Sequence, residues 1–326
     1  MNINEIIFLS TLKKGKRIKL TRKNKSISAN SLECSKELDE SLVLIKKHLI
    51  TEKKLEPIRI ILKGQYNEAY DILNNAVNAG LTPALVGPPG TGKSLLARKY
   101  AQDTNRVFYE VFFDETITPS SIIGYFDPAI TISKGFGMEA FMPGPLLKAM
   151  VEGGIFLAQE LNRATEYCQN TLLAPLEERR IYIPHLGYVR ADEKFVLIAA
   201  MNPTESGGVY RLSEALKDRV NVWVPLTYPS KEVEIEIIKM KLPEYKLESR
   251  ILDQVYLIIS NCRKRGDIEP PSLRDGIAIA RLLGEIKNKK GDLSDNDVTS
   301  CAAYVLSQHM KSKSEEIWMI ISEMKL

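Results

Sequence analysis

A chain of 326 residues with 44% hydrophobic, 26% charged and 7% aromatic side chains has an ordinary globular composition, which excludes disordered, collagen-like and disulfide-scaffold readings. The length corresponds to about two domains with a substantial core. The net charge of +4 is unevenly placed: residues 1–60 carry 14 Lys and Arg against 7 Asp and Glu, whereas the remaining 266 carry 31 against 34.

The basic run from Lys13 to Lys25 has no acid between Glu5 and Glu33. It suits either an acidic partner such as nucleic acid or a solvated arm; no aromatic interleaves the lysines to stack bases, so the arm is favoured. Neither Ile6–Leu9 nor the uncharged stretch from Ile72 to Gly92, broken by Asn, Pro and four Gly, suits a signal peptide or a membrane helix. Cys34, Cys168, Cys262 and Cys301 lie far apart with no CxxC pair, so a reducing compartment fits and a cysteine zinc site does not. A soluble cytoplasmic protein is expected.

Residues 1–60 read as an appendage, with a helix predicted over Leu38–Ile50. From 61 to 228, apolar strands alternate with helical stretches, which predicts a parallel sheet covered by helices. The strands are expected at Ala84–Val86, Val107–Val111, Ile155–Ala158, Phe195–Ala200 and Asn221–Val224, mostly as continuous apolar runs buried on both faces. From 229 to 326 the pattern is helical. Ile251, Leu252, Val255, Ile258 and Ile259 share one helical face, and Val298, Cys301, Ala302, Val305 and Leu306 share another. Ser272 and Ser294, each followed three residues later by Asp, signal helix starts.

The strongest motif is Gly87-Pro88-Pro89-Gly90-Thr91-Gly92-Lys93-Ser94-Leu95, which satisfies GxxxxGK[ST] between an apolar strand and a helix expected over Ser94–Ala101. Its glycines let successive N–H groups turn inward on a phosphate, and the helix adds its positive dipole end. Lys93 is suited to the β/γ-phosphates of ATP and Ser94 to Mg²⁺. A second apolar strand, Ile155-Phe-Leu-Ala158, ends in Gln159-Glu160. Glu160 stands where a water-polarising base is needed. Gln159 stands where an Asp normally helps to hold Mg²⁺; it accepts a hydrogen bond from a metal-bound water without adding charge, so its metal role is indirect and weak.

With these two motifs in order, the chain resembles the MoxR-type AAA+ ATPases, the branch that includes the CbbQ, NirQ and gas-vesicle GvpN groups and is related to dynein-like AAA modules. The resemblance covers about residues 60–310. Gly124–Pro128 and Phe141–Leu146 resemble the family's insert in its second helix, and Ile181–Val196 its next hairpin, with a tight turn at Leu186-Gly187. Ala199–Pro203 resembles sensor 1, which gives Asn202 a place at the γ-phosphate or attacking water. Leu212–Arg219 resembles the arginine-finger segment, so Arg219 is the candidate to complete a neighbouring subunit's site; the competing reading pairs it with Asp218 or Glu214. Pro271–Arg274 resembles sensor 2, so Arg274 is expected at the γ-phosphate of its own subunit. Arg163, Glu178 and Arg179 are expected near the subunit boundary.

The resemblance implies a five-stranded α/β AAA+ domain and a small all-α lid, a homo-oligomeric ring that is a hexamer by family analogy, and ATP with Mg²⁺. It also implies a remodelling chaperone acting on a protein client, with a von Willebrand factor A domain protein as a common partner. Three other readings stand beside it: a DNA-directed motor using the basic N-terminus, an ATP-binding assembly factor with weak hydrolysis owing to Gln159, and a metal-chelatase motor subunit. His48, His185 and His309 are too scattered for a metal triad, and His185 is expected to be a surface contact.

Overall fold

The structure, a computed structural model, describes residues 57–202, 212–265 and 269–309. The helix expected over Leu38–Ile50 and the basic run lie outside the described residues. In chain order the first elements are α1 (Gln65–Asn78), β1 (Pro83–Val86), α2 (Lys93–Asp103) and β2 (Phe108–Phe112). An insert follows, formed by α3 (Pro119–Ile123), β3 (Gly124–Phe126), α4 (Pro128–Lys134) and β4 (Phe141–Pro143), in which β3 and β4 pair antiparallel. Next come α5 (Pro145–Glu152), β5 (Ile155–Gln159), α6 (Glu166–Asn170) and α7 (Leu173–Glu177). The hairpin β6 (Arg180–Ile183) and β7 (Gly187–Arg190) precedes β8 (Val196–Met201), α8 (Glu214–Arg219) and β9 (Val222–Pro225). Four helices close the described chain: α9 (Lys231–Lys241), α10 (Ser249–Arg263), α11 (Leu273–Lys290) and α12 (Asp295–Leu306).

Five strands form one parallel sheet in the order β2-β5-β8-β1-β9. The expected strands are all present, with ends moved by one residue or so. Their continuous apolar runs are explained by burial on both faces. Phe156, Ala158, Leu197 and Ala199 pack with Leu146, Leu147 and Met150 of α5, whereas Ile155, Leu157, Ile198 and Ala200 pack with Leu73 of α1 and Leu96 and Tyr100 of α2. Both residue sets are almost fully removed from water, so the sheet is the centre of a three-layer stack.

The C-terminal helices have their own core. Ile251, Val255, Ile258 and Ile259 of α10 meet Ile279 and Leu283 of α11 and Val298, Cys301, Ala302 and Leu306 of α12. The two predicted starts are capping boxes: Ser272 exchanges hydrogen bonds with Asp275, and Ser294 with Asp297. Burial disfavours the charged form of Asp275, but hydrogen bonds from His309 and Ser272 outweigh it and hold the carboxyl below its usual range.

The β6–β7 turn runs from Ile183 to Gly187, wider than the Leu186-Gly187 turn expected from sequence, with positive φ at both His185 and Gly187. This turn docks on the insert. The His185 ring stacks on Phe136 at 4.3 Å and 19°, and Phe126 meets both rings edge-on at 5.2 and 5.9 Å. His185 is thus a contact, as expected, but between two parts of the same chain.

Candidate active site

Sheet register assembles the site. Val86 pairs with Met201, and Ala200 with Gln159, so β1 and β8 end level and β5 ends one residue earlier. The residues that follow are Gly87, Asn202 and Glu160, carried on adjacent strands about 4.8 Å apart. The chain crosses from β8 over β1 to reach β9, which makes this edge the switch point where open α/β sheets bind ligands.

The loop after β1 is built around close backbone approaches. A Cβ at Gly87 would lie 2.0 Å from the Leu226 carbonyl oxygen, and one at Gly90, where φ is +78°, would lie 2.8 Å from Cβ of Ser272. The second contact sets the N-terminus of α11 directly against the loop. Lys93 is the first residue of α2, not the residue before it as expected. It is 9% exposed, and its Nζ donates to the carbonyls of Gly87 at 2.6 Å and Pro88 at 2.9 Å. Thr91 is buried and its hydroxyl donates to the same Pro88 carbonyl. The result is a backbone cradle with an ammonium group folded across it.

Ser94 donates its hydroxyl proton to Gln159 Oε1, and Gln159 Nε2 donates to Glu110 Oε2 on β2 at 2.5 Å. Glu110 is in turn ion-paired with Arg98, one turn after Ser94 on α2. Glu110 and Arg98 were not singled out from sequence, although a carboxylate inside the apolar strand Phe-Tyr-Glu-Val-Phe was a visible signal.

Glu160 adopts the left-handed conformation at φ +53° and ψ +39°, which a side chain with a Cβ takes only when its surroundings enforce it. Its Oε2 is buried, 3.9 Å from Arg163 Nε. Asn162 donates to the Asn202 carbonyl at 3.0 Å, and the side-chain Oδ1 atoms of Asn162 and Asn202 are buried with no hydrogen-bond partner among the described residues. Beside the loop, Ile60, Ile61, Tyr66 and Leu95 face Ile237 and Leu273 of the helical region across an apolar cleft. Burial, reinforced by the charge of Glu234, pushes the Tyr66 phenol up to about 12, so it stays neutral there.

The arginines divide. Arg274 is exposed in the first turn of α11. Arg219 pairs with neither Asp218 nor Glu214: its Nη2 bonds Glu177 Oε2 of α7 at 2.5 Å and its Nη1 the Ala215 carbonyl at 2.7 Å. Arg179 is held by the carbonyls of Asp192, Glu193 and Phe195, tying the hairpin to β8, and Glu178 pairs with Arg180. The structure therefore brings the loop, Gln159, Glu160 and Asn202 to one rim, with the start of α11 beside it. Arg219 is placed on α8 against α7.

The sequence model of the AAA domain (dynein-related subfamily) matches residues 84–220, the span that contains every strand of the rim. The chain is 32% identical over 208 residues to the uncharacterized protein SAB1265c of Staphylococcus aureus, covering 61% of this chain and 76% of that protein. It is 31% identical over 189 residues to the chaperone MoxR1 of Mycobacterium tuberculosis, covering 57% and 47% of the two chains. The chain belongs to the MoxR-type AAA+ ATPases. Within this AAA+ group it is also 25% identical over 255 residues to the gas vesicle ATPase GvpN of Haloferax mediterranei, covering 73% and 71%. The chain thus spans about half of MoxR1 and about 60% of a Bacillus subtilis relative, YeaC. The AAA+ fold is shared with the crystal structure of NtrX from Brucella abortus in complex with ATP, at a TM-score of 0.51 and 19% identity, over 82% of this chain and 60% of that one. Among the described residues no helix is long and apolar enough to cross a membrane.

Proposed function

We propose that this AAA+ protein binds and hydrolyses ATP with Mg²⁺ at the boundaries of a homo-oligomeric ring, a hexamer by family analogy, and remodels a protein client. The nucleotide-binding unit is assigned to residues 61–228 and the lid to 229–326, with residues 1–60 outside both. A von Willebrand factor A domain protein is the partner class suggested by the family, and the cytoplasm the suggested compartment. The observation that carries the reading is the cradle at 87–94, in which glycines let the backbone turn in close quarters and the buried Lys93 ammonium lies across the carbonyls of Gly87 and Pro88.

In this reading Lys93 turns from those carbonyls to the β/γ-phosphates, the N–H groups of Gly87 and of Gly90–Leu95 surround them, and the apolar cleft beside Tyr66 receives the nucleotide base. Glu160, fixed by its backbone, takes a proton from water as the base. Asn202 Oδ1, which has no hydrogen-bond partner among the described residues, orients that water, and Arg274 closes from the lid. Arg219 of a neighbouring copy neutralises charge that develops on the transferring group. Among the described residues no cluster of three or more His, Cys, Asp or Glu is placed to hold a metal unaided. The donor set fits a Mg²⁺ that arrives with the nucleotide and is held by Ser94, with Gln159 behind it. That ion would neutralise phosphoryl oxygens. The ring contact between His185 and Phe136 supports the two insertions, 124–146 and 181–194, moving as one body towards the client.

A second reading, an ATP-binding assembly factor that turns over slowly, is favoured by one specific observation: an amide stands at 159 where a carboxylate is usual. Two substitutions test both. Lys93→Ala is expected to weaken ATP uptake in equilibrium dialysis by about 10–100-fold, the worth of a charge-assisted contact. Uptake unchanged by that substitution sinks the nucleotide reading. Glu160→Gln is expected to keep uptake and lose about 10²–10⁴-fold in phosphate release. Measurable uptake with no release in the parent protein, with or without a client, selects the slow assembly factor.

A further inference from the structure

Gln159 is held at both ends, and the two ends are chemically different. A carboxylate only accepts hydrogen bonds, so the amide nitrogen must face Glu110 and the amide oxygen must face Ser94. Ser94 then has one use for its proton, the Gln159 oxygen, which leaves the lone pairs of Oγ for a cation. An unheld glutamine is free to flip and present its NH₂ group to the cation instead.

We infer that Glu110 is the positioning residue that lets a glutamine serve at the metal-facing end of β5: braced by Arg98, it fixes the Gln159 amide with its oxygen towards Ser94. The geometry is set by the sheet. Glu110 is registered opposite Leu157, two residues before Gln159 on the same face, so the two side chains are diagonal neighbours. Ser94 and Arg98 lie one turn apart on α2, which covers that face. The four side chains thus form a chain that begins and ends on one helix, and each bond in it fixes the next. Arg98 balances the charge of Glu110, so the group contributes orientation more than net charge.

A consequence follows for the substitution that would restore the usual acid. An Asp at 159 would put a second carboxylate beside Glu110, and like charges at that separation resist joint ionisation. Gln159→Asp alone is therefore expected to gain little in Mg²⁺ affinity, whereas Gln159→Asp combined with Glu110→Gln gains more than the two single changes together.

The inference rests on the nucleotide reading, and its test separates the two. ADP binding to the full chain is measured by calorimetry in EDTA and across a Mg²⁺ titration. The parent protein is expected to bind ADP in EDTA and more tightly with Mg²⁺. Glu110→Ala is expected to leave the EDTA affinity within about twofold and to raise the Mg²⁺ concentration for half-effect by about 10–100-fold, the range for removing a partner behind a metal ligand. Glu110→Gln, which keeps volume and an acceptor oxygen, is expected to fold as the parent and lose about fivefold, as a neutral bond replaces a charge-assisted one. An unchanged Mg²⁺ requirement in both variants overturns the inference and leaves the nucleotide reading intact. So does an equal loss in EDTA and in Mg²⁺, the mark of a merely structural role. No ADP binding by the parent protein overturns both.

Discussion

If the proposed function holds, Arg219→Ala is expected to lower ATP turnover by about 10³–10⁵-fold, the contribution of a guanidinium that neutralises a transferring phosphoryl group, while ATP affinity and folding stability stay close to those of the parent protein. The separation of these effects follows from where the residue sits. Its pair with Glu177 is partly open to water, with side-chain exposures of 28% and 58%, and such pairs contribute only about 0–1 kcal/mol. The loss of stability on removing it is therefore small. Its guanidinium lies on the α7–α8 side of the domain, held by Glu177 and the Ala215 carbonyl, whereas the cradle of the same chain is built from β1, β5, β8 and the start of α11. On the ring reading proposed above, an effect of Arg219 on turnover is expected to come through another copy. Mixing decides it: on the proposed reading Lys93→Ala keeps the finger and binds nucleotide weakly, and Arg219→Ala does the reverse, so the two together are expected to regain activity that neither has alone. Full turnover by Arg219→Ala, or no regain on mixing variants that still assemble, rules out a shared site.

What the sequence made legible was what is local in it. The loop at 87–94 is a contiguous motif whose glycines are required within a few residues, so its strand–loop–helix setting was readable, although the helix runs from Lys93 to Asp103 and not from Ser94 to Ala101. The five strands were readable because most are continuous apolar runs, which burial on both faces demands of the central strands β1, β5 and β8, whereas the edge strands β2 and β9 are only partly buried; their ends moved because pairing in the sheet, not propensity, sets where a strand stops. The Ser272 and Ser294 boxes were readable for the same reason as the cradle, since a cap is satisfied three residues away. Contacts between distant segments were not. Glu110 and Gln159 are 49 positions apart and become neighbours only through the pairing of β2 with β5. Glu177 is 42 positions from Arg219, which is why Asp218 and Glu214 looked like the available partners. The docking of His185 on Phe136 depends on the hairpin turn being wider than expected, with two residues at positive φ.

Arg263→Met destabilises the protein by about 3–5 kcal/mol, because it leaves a carboxylate buried without its cation. Glu234 of α9 is 1% exposed and receives two bonds from Arg263 of α10, at 2.7 and 2.9 Å. The same guanidinium donates through Nε to the Pro271 carbonyl at 2.9 Å and lies 4.0 Å from the Tyr228 ring centre. One side chain therefore joins the segment leaving β9, the C-terminal helices α9 and α10 and the residue that precedes the Ser272 cap. The cost arises from the stranded charge and not from the lost pair as such, so adding Glu234→Leu to Arg263→Met should recover most of the stability. Urea unfolding of the single and double variants checks this, and a double variant no more stable than the single one refutes the stranded-charge account. The consequence for the site follows from packing. Pro271 leads into Ser272, whose Cβ stands against Gly90 in the cradle, so loosening Arg263 loosens the wall that α11 presents to the loop at 87–94 and the start of the helix that carries Arg274. Hydrogen exchange should accordingly rise in α9, in α10 and in the first turn of α11 before it rises in the central strands β1, β5 and β8, whose cores do not depend on this pair.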